Sequence, residues 1–251
     1  MRLLSWNVQS CRGMDGKADP ARTAAEARRL ADPDIACFQE IDSDALLHEL
    51  PAYQSAWATG VDVPADRGRY RFGNVILSRQ TPGRILRHSL PWPASPDTPS
   101  MPRVAVEAVI GDLRVITTHL EYYSAAHREA QVASLERIFV EGTAKRLEEN
   151  GDGPFKYFPR PESAILCGDF NMKPDEPLHE KIRQIGFVDA WKALNPGKPH
   201  PPTFRVHEAK EAPYCCDYVF VTPDLVPRLR AMRVDGATQV SDHQPVIVEL
   251  A

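Results

Sequence analysis

Arg103-Val104-Ala105-Val106-Glu107-Ala108-Val109-Ile110-Gly111-Asp112-Leu113-Arg114-Val115-Ile116-Thr117-Thr118 decides the architecture of this chain. Two runs rich in β-branched residues flank Gly111-Asp112, a dipeptide that favours a tight hairpin turn. Two more strand-like runs precede them, at 71–78 and 84–89, and no helical spacing interrupts residues 71 to 118. A doubly wound parallel sheet would need a crossover helix after nearly every strand, so that architecture is excluded.

Working outward, short apolar runs at 2–8, 35–39, 164–167, 214–221 and 245–250 predict further strands. Helices are expected at 18–30, at 42–50 (capped by Asp42 or Ser43), at 125–147 and at 178–185. The longest of these carries Val132, Leu135, Ile138 and Phe139 on one face. Strands grouped without helices, with helices flanking both halves, predict an α+β fold of two sheets packed face to face with helices outside. One domain over residues 1–251 is expected, and there is no internal repeat.

Composition sets further bounds. At 43% hydrophobic and 25% charged the chain is neither disordered nor fibrous, and 23 prolines against 14 glycines argue against an all-helical bundle. Prolines cluster at 91–102, 154–161 and 196–202, which are read as loops. The net charge of −4 leaves no global basic excess, so a phosphate-bearing partner must be met locally. No apolar stretch is long enough for a membrane helix, and Met1-Arg2-Leu3-Leu4-Ser5-Trp6-Asn7 turns polar too early for a signal peptide. The five cysteines are odd in number and form no C-x-x-C pair. Reduced, buried thiols in a cytoplasmic protein, acting as a monomer, are the expectation.

The candidate site residues sit where strands end. On a period of two, Leu3, Ser5 and Asn7 share a face, leaving Asn7 at the strand's mouth, although asparagine there also simply starts turns. Glu40 closes Ile35-Ala36-Cys37-Phe38-Gln39 and is either a functional carboxylate or a helix cap. In Ile165-Leu166-Cys167-Gly168-Asp169-Phe170-Asn171, the spacing puts Asp169 and Asn171 on one side and Phe170 on the other. His119 ends Thr117-Thr118-His119, and Ser241-Asp242-His243 pairs a hard oxygen ligand with a titratable imidazole; either histidine alone is more often structural than catalytic. Asp217 lies within Cys215-Cys216-Asp217-Tyr218-Val219-Phe220, where an unpartnered buried charge is costly, and a histidine is its natural mate. Oxygens and imidazoles without a cysteine cluster point to Mg²⁺ or Mn²⁺.

Taken together, Leu4-Ser5-Trp6-Asn7, Phe38-Gln39-Glu40-Ile41, Gly73-Asn74-Val75-Ile76-Leu77-Ser78, Thr118-His119-Leu120, Gly168-Asp169-Phe170-Asn171, Asp217-Tyr218-Val219-Phe220 and Ser241-Asp242-His243 resemble, in order, the endonuclease/exonuclease/phosphatase superfamily, the DNase I-like fold. The resemblance implies a four-layer αββα sandwich of two mostly antiparallel sheets, with the site at one rim. It implies a Mg²⁺-dependent hydrolase (Mn²⁺ as the alternative) that cleaves phosphoesters by in-line attack of an activated water. Glu40 would be the principal metal ligand, with Asn7 and Asp242 completing or supporting the metal site. Asp169 would orient or deprotonate the water, and Asn171 would position it and the phosphate. His243, paired with Asp217, would contact the phosphate or act as base, and His119 would donate to a phosphate oxygen.

The substrate is less legible. Apurinic endonucleases of this superfamily carry an acidic residue two positions after the first Asn, where this chain has Gln9. That weakens a DNA-repair reading and puts the metal site's composition in question. Thr118-His119-Leu120-Glu121-Tyr122 looks like the tyrosyl-DNA phosphodiesterase branch over a short run only. Single-stranded or end-modified nucleic acid, phosphomonoesters, phospholipids and sugar phosphates all stay open as partners. A non-catalytic binding module would be marked by loss of Glu40, Asp169 or His243, and all three are present. Six arginines and no acid between Arg67 and His88 form either a steering patch or a solvated strand face. Residues 142–161 are either a flap over the site or an ordinary surface excursion.

Overall fold

The computed structural model describes residues 1–66, 68–93, 97–143 and 160–251. Its strands form two six-stranded sheets. The first runs β11 (Leu229–Val234), β12 (Val246–Leu250), β1 (Arg2–Asn7), β2 (Ile35–Ile41), β4 (Arg69–Ser78), β3 (Gln54–Pro64). The second runs β5 (Arg84–Ser89), β6 (Val104–Ile110), β7 (Leu113–His119), β8 (Ala164–Asp169), β10 (Asp217–Val221), β9 (Val188–Asp189). Each sheet has one parallel pair, β1 with β2 and β7 with β8, and is otherwise antiparallel. The fold is the α+β sandwich expected, with helices outside both sheets.

The central strands read as near-continuous apolar runs because both of their faces are buried. Leu3, Cys37, Ile76, Val106, Val115, Ile165 and Val219 fill the space between the sheets. The alternate residues Leu4, Trp6, Phe38 and Val75 pack outward with Ala24, Ala27 and Leu30 of α1 (Pro20–Leu30). On the second sheet, Ile116, Leu166 and Phe220 pack outward with Val132, Leu135 and Ile138 of α3 (Ala125–Thr143). Each Val, Leu, Ile or Phe side chain taken from water contributes about 1.5–3 kcal/mol. Helix α1 begins where Asp19 accepts a hydrogen bond from the Arg22 backbone N–H and Pro20 fixes the first turn.

Two expectations need adjusting. Of the edge strands, β5 was expected, whereas β3, β11 and the two-residue β9 were not, since β3 and β11 leave much of their surface wet and carry no continuous apolar run. The helix expected over 42–50 shrinks to one turn, α2 (Ala45–His48), with no side-chain cap from Asp42 or Ser43; Pro51 disfavours helical geometry at Leu50. The last residues of the helix expected over 125–147, and most of the suggested flap at 142–161, lie outside the described residues. All five cysteines are free and buried. No helix among the described residues is long and apolar enough to cross a membrane.

Candidate active site

Strand register builds the site. His119, Asp169 and Asp217 sit in one row across β7, β8 and β10, since His119 pairs with Asp169 and Asp169 with Asp217. In the facing sheet Asn7 ends β1 opposite Gln39, and Glu40 follows at a bulge with φ 61°. That backbone turn breaks the strand's alternation and releases Glu40 from it. Gln39 instead reaches across, donating from Nε2 to Thr117 Oγ1 at 2.9 Å, and so ties the two sheets beneath the site.

Asn7 joins the two rows. Its Nδ2 donates to Glu40 Oε1 and to Asp169 Oδ2, each at 3.0 Å. Its Oδ1 accepts from the Gln9 backbone N–H at 3.1 Å. Gln9 also donates from Nε2 to Asp242 Oδ2 at 3.0 Å, so this uncharged residue holds a candidate metal ligand in place. Asp169 Oδ1 accepts from the Asn171 N–H at 2.9 Å. Asn171 itself is held by a turn at φ 50° and donates from Nδ2 to Leu120 O, so it reaches the site by leaving the strand and not by strand alternation. Phe170 is fully buried behind them.

His243 Nδ1 lies 2.9 Å from Asp217 Oδ2, and its Nε2 points toward Asp169 Oδ2 at 3.7 Å. Asp217 thus has the histidine partner its burial demanded. Burial alone would lower the imidazole's pKa, but the charges of Asp217 and Asp169 and the hydrogen bond to Asp217 outweigh it and lift His243 to about 10. Burial pushes Asp169 up to about 7. Glu40 and Asp242 are also raised, by burial first, and Glu40 further by Asp242. His119 goes the other way: burial, then Arg103 and His243, hold it well below its ordinary value, so it is neutral. Its Nε2 is 3.4 Å from Asp169 Oδ2, while its buried Nδ1 has no hydrogen-bond partner.

Three residues join the site without a sequence signal that singled them out. Arg103, 7% exposed, precedes β6 and lies beside Glu40, Asp169 and His119, with Nε 3.8 Å from buried Glu121. Its Nε and Nη1 are buried without hydrogen-bond partners. Thr203 Oγ1 accepts from the N–H groups of Cys216 and Asp217 at 3.1 and 3.2 Å. Phe204 lies against His243 with ring centroids 4.5 Å apart. A lone arginine after a proline cluster, or Thr-Phe after another, carries no local pattern.

Around the rim stand exposed aromatic rings. Tyr122 and Tyr123 meet edge to face at 4.9 Å, shortly after His119 in the chain. Tyr70 stacks with Phe72 at 6.3 Å and lies within the electrostatic reach of Glu40. The arginine-rich run is partly neutralised in space: Arg69 and Arg71 face Asp62, and Arg79 faces Asp32. Arg67 lies outside the described residues. Arg71, Arg87 and His88 line a groove of about 450 Å³ between β3 and β5.

The site's donor chemistry suits a hard cation. Glu40 and Asp242 offer half-buried carboxylate oxygens whose charges disfavour each other, which is the situation a divalent ion relieves. Cys216 is less apt, although its thiol lies near Asp169 and His243, because burial keeps it protonated.

Known proteins share this fold. Structures similar to this chain include an endonuclease/exonuclease/phosphatase from Beutenbergia cavernae, at 21% identity and TM-score 0.72, over 100% of this chain and 72% of that one. A 3′ phosphatase, NExo, from Neisseria, bound to a product DNA hairpin, matches at 20% identity and TM-score 0.69, over 100% of this chain and 99% of that one. A mannosyl-6-phosphatase from Bacteroides thetaiotaomicron matches at 20% identity and TM-score 0.70, again over 100% and 99%. At these identities the likeness speaks to the fold. The model of the Endonuclease/Exonuclease/phosphatase family, however, matches residues 4–243, and the chain belongs to that family.

Proposed function

We propose that this protein is a divalent-metal-dependent phosphoester hydrolase, one domain acting as a cytoplasmic monomer. The observation that carries the reading is the unbroken chain Glu40–Asn7–Asp169–His243–Asp217, which links both sheets through contacts of 3.0, 3.0, 3.7 and 2.9 Å. It joins a prospective metal ligand, a raised carboxyl and a charged imidazole in one cleft.

Glu40 and Asp242 would hold Mg²⁺ or Mn²⁺, which when bound neutralises charge on the phosphate and the leaving oxygen. Asn7, whose nitrogen faces both carboxylates, acts in support, fixing Glu40 relative to Asp169. Asp169 serves as the base that orients and deprotonates the attacking water, since its carboxyl titrates near neutral pH. His243 is ill suited to that role: held as a cation by Asp217, it contacts the phosphate instead. Neutral His119 and buried Arg103 supply donors for the developing negative charge, and Asn171 positions the phosphate.

The exposed rings of Tyr70, Tyr122 and Tyr123 favour a substrate with planar groups to stack, such as single-stranded or end-modified nucleic acid. Comparing single- and double-stranded DNA, 5′-tyrosyl-DNA, a sphingomyelin analogue, sugar phosphates and bis-p-nitrophenyl phosphate under Mg²⁺ tests this. Highest turnover on an unpaired or end-modified strand supports the reading. Highest turnover on a sugar phosphate or lipid analogue replaces the substrate while leaving the hydrolase intact.

A further inference from the structure

A second group of buried titratable side chains lies away from the cleft. His179 sits on α4 (Pro177–Gln184), Asp189 ends β9, and His200 lies in the proline-rich loop that follows α5 (Ala190–Leu194). His179 and Asp189 are 5% and 1% exposed, and the His200 side chain 2%. Both imidazoles aim Nε2 at the same carboxylate oxygen, Asp189 Oδ2, at 2.9 and 2.7 Å. The other oxygen accepts from the Lys192 N–H at 3.1 Å and caps α5. Tyr218 separates this group from the cleft, with its ring edge-on to both histidines at 5.0 and 5.4 Å.

We propose that His179, Asp189 and His200 form a structural transition-metal site, fit for Zn²⁺ and separate from the catalytic metal. The donor set decides the metal. Two imidazole nitrogens and one carboxylate oxygen make a borderline-soft set that favours Zn²⁺, whereas the cleft's carboxylates favour Mg²⁺. The three donor atoms already lie within 4.8 Å of one another. An ion about 2.0–2.1 Å from each would spread them by about half an ångström from their present hydrogen-bonded spacing, with water as a fourth ligand. Both rings then present a bare Nε2 and carry their proton on Nδ1. The Nδ1 of His200 is buried without a partner in either state and so does not distinguish them.

The three ligands come from three separate segments, and the ion would fasten them together. His200 stands three residues before Thr203, which supports Asp217, and four before Phe204, which covers His243. Binding at this site would therefore hold the loop that seats the Asp217–His243 pair.

The test is metal binding by the full chain, independent of any substrate. Chelator-stripped protein should take up about one Zn²⁺, gain melting temperature, and give with Co²⁺ the visible absorption of a low-symmetry site that Zn²⁺ abolishes. His179→Ala and His200→Ala, folded by circular dichroism, should weaken Co²⁺ binding by about 100-fold or more, while Glu40→Gln, which removes a carboxylate ligand of the cleft, keeps it. His200→Cys should retain Co²⁺ and add a thiolate charge-transfer band, an outcome that a hydrogen-bonding role cannot give. No Co²⁺ spectrum in the stripped wild type, an unchanged spectrum in both alanine variants, or loss in Glu40→Gln instead would overturn the proposal.

Discussion

Asp217 and His243, 26 residues apart in sequence, meet with Oδ2 and Nδ1 2.9 Å apart, and the pair is buried. The carboxylate keeps the imidazole charged in a place where burial would otherwise discharge it. A histidine raised in the fold stabilises it fully below its ordinary 6.5, and that stabilisation is lost as pH rises through about 10. The melting temperature should therefore fall between those limits, and Asp217→Asn should flatten the fall. The same variant should lower turnover by about 10²-fold or more.

Asp169 gives the opposite pH signature in activity. Burial lifts its carboxyl to about 7, so the basic form accumulates as pH rises through that value. Turnover should climb across this range in wild type, with a bound metal drawing the midpoint lower. Asp169→Asn should remove that limb and reduce turnover by about 10²–10⁴-fold. A pH–rate profile of both proteins checks this.

Arg103 and Glu121 balance one another in a nearly dry setting, at 7% and 0% exposure. Arg103→Met leaves the carboxylate, which still accepts from Ser100 Oγ and the Tyr123 N–H, without its countercharge and should destabilise the fold by about 3–5 kcal/mol in urea titration. Adding Glu121→Gln should restore much of that stability. Turnover should stay down by about 10²–10³-fold in the double variant, because the donor to the developing charge is gone.

Gly168 is fixed by close approach. Its φ is +136°, and a Cβ there would sit 2.0 Å from Thr118 O, which belongs to the residue paired with it across β7 and β8. Gly168→Ala should cost at least about 1–3 kcal/mol and displace Asp169 with it. A melting temperature equal to wild type would contradict that account.

The sequence was readable where burial is two-sided. Strands β1, β2, β7 and β8 announced themselves as apolar runs because both faces pack, whereas β3 and β11 were silent because half of each is solvated. Site residues at the ends of those central strands, such as Asn7, Glu40 and Asp169, were visible for the same reason. Arg103, Thr203 and Phe204 were not, since they arrive from proline-rich loops whose paths no periodicity encodes. Gln9 shows a further limit: its absence of charge was plain, but its hold on Asp242 depends on a turn at φ 48°.

The central claim, hydrolysis of a phosphoester by a metal held at Glu40, is tested most directly by one comparison. Turnover of the most responsive phosphoester should be measured for wild type and Glu40→Gln across a Mg²⁺ titration from chelator upward. The account predicts no turnover in chelator, a saturable rise with Mg²⁺ in wild type, and a loss of at least about 10²-fold in Glu40→Gln. Wild-type turnover in Glu40→Gln, or full turnover in chelator, would contradict it.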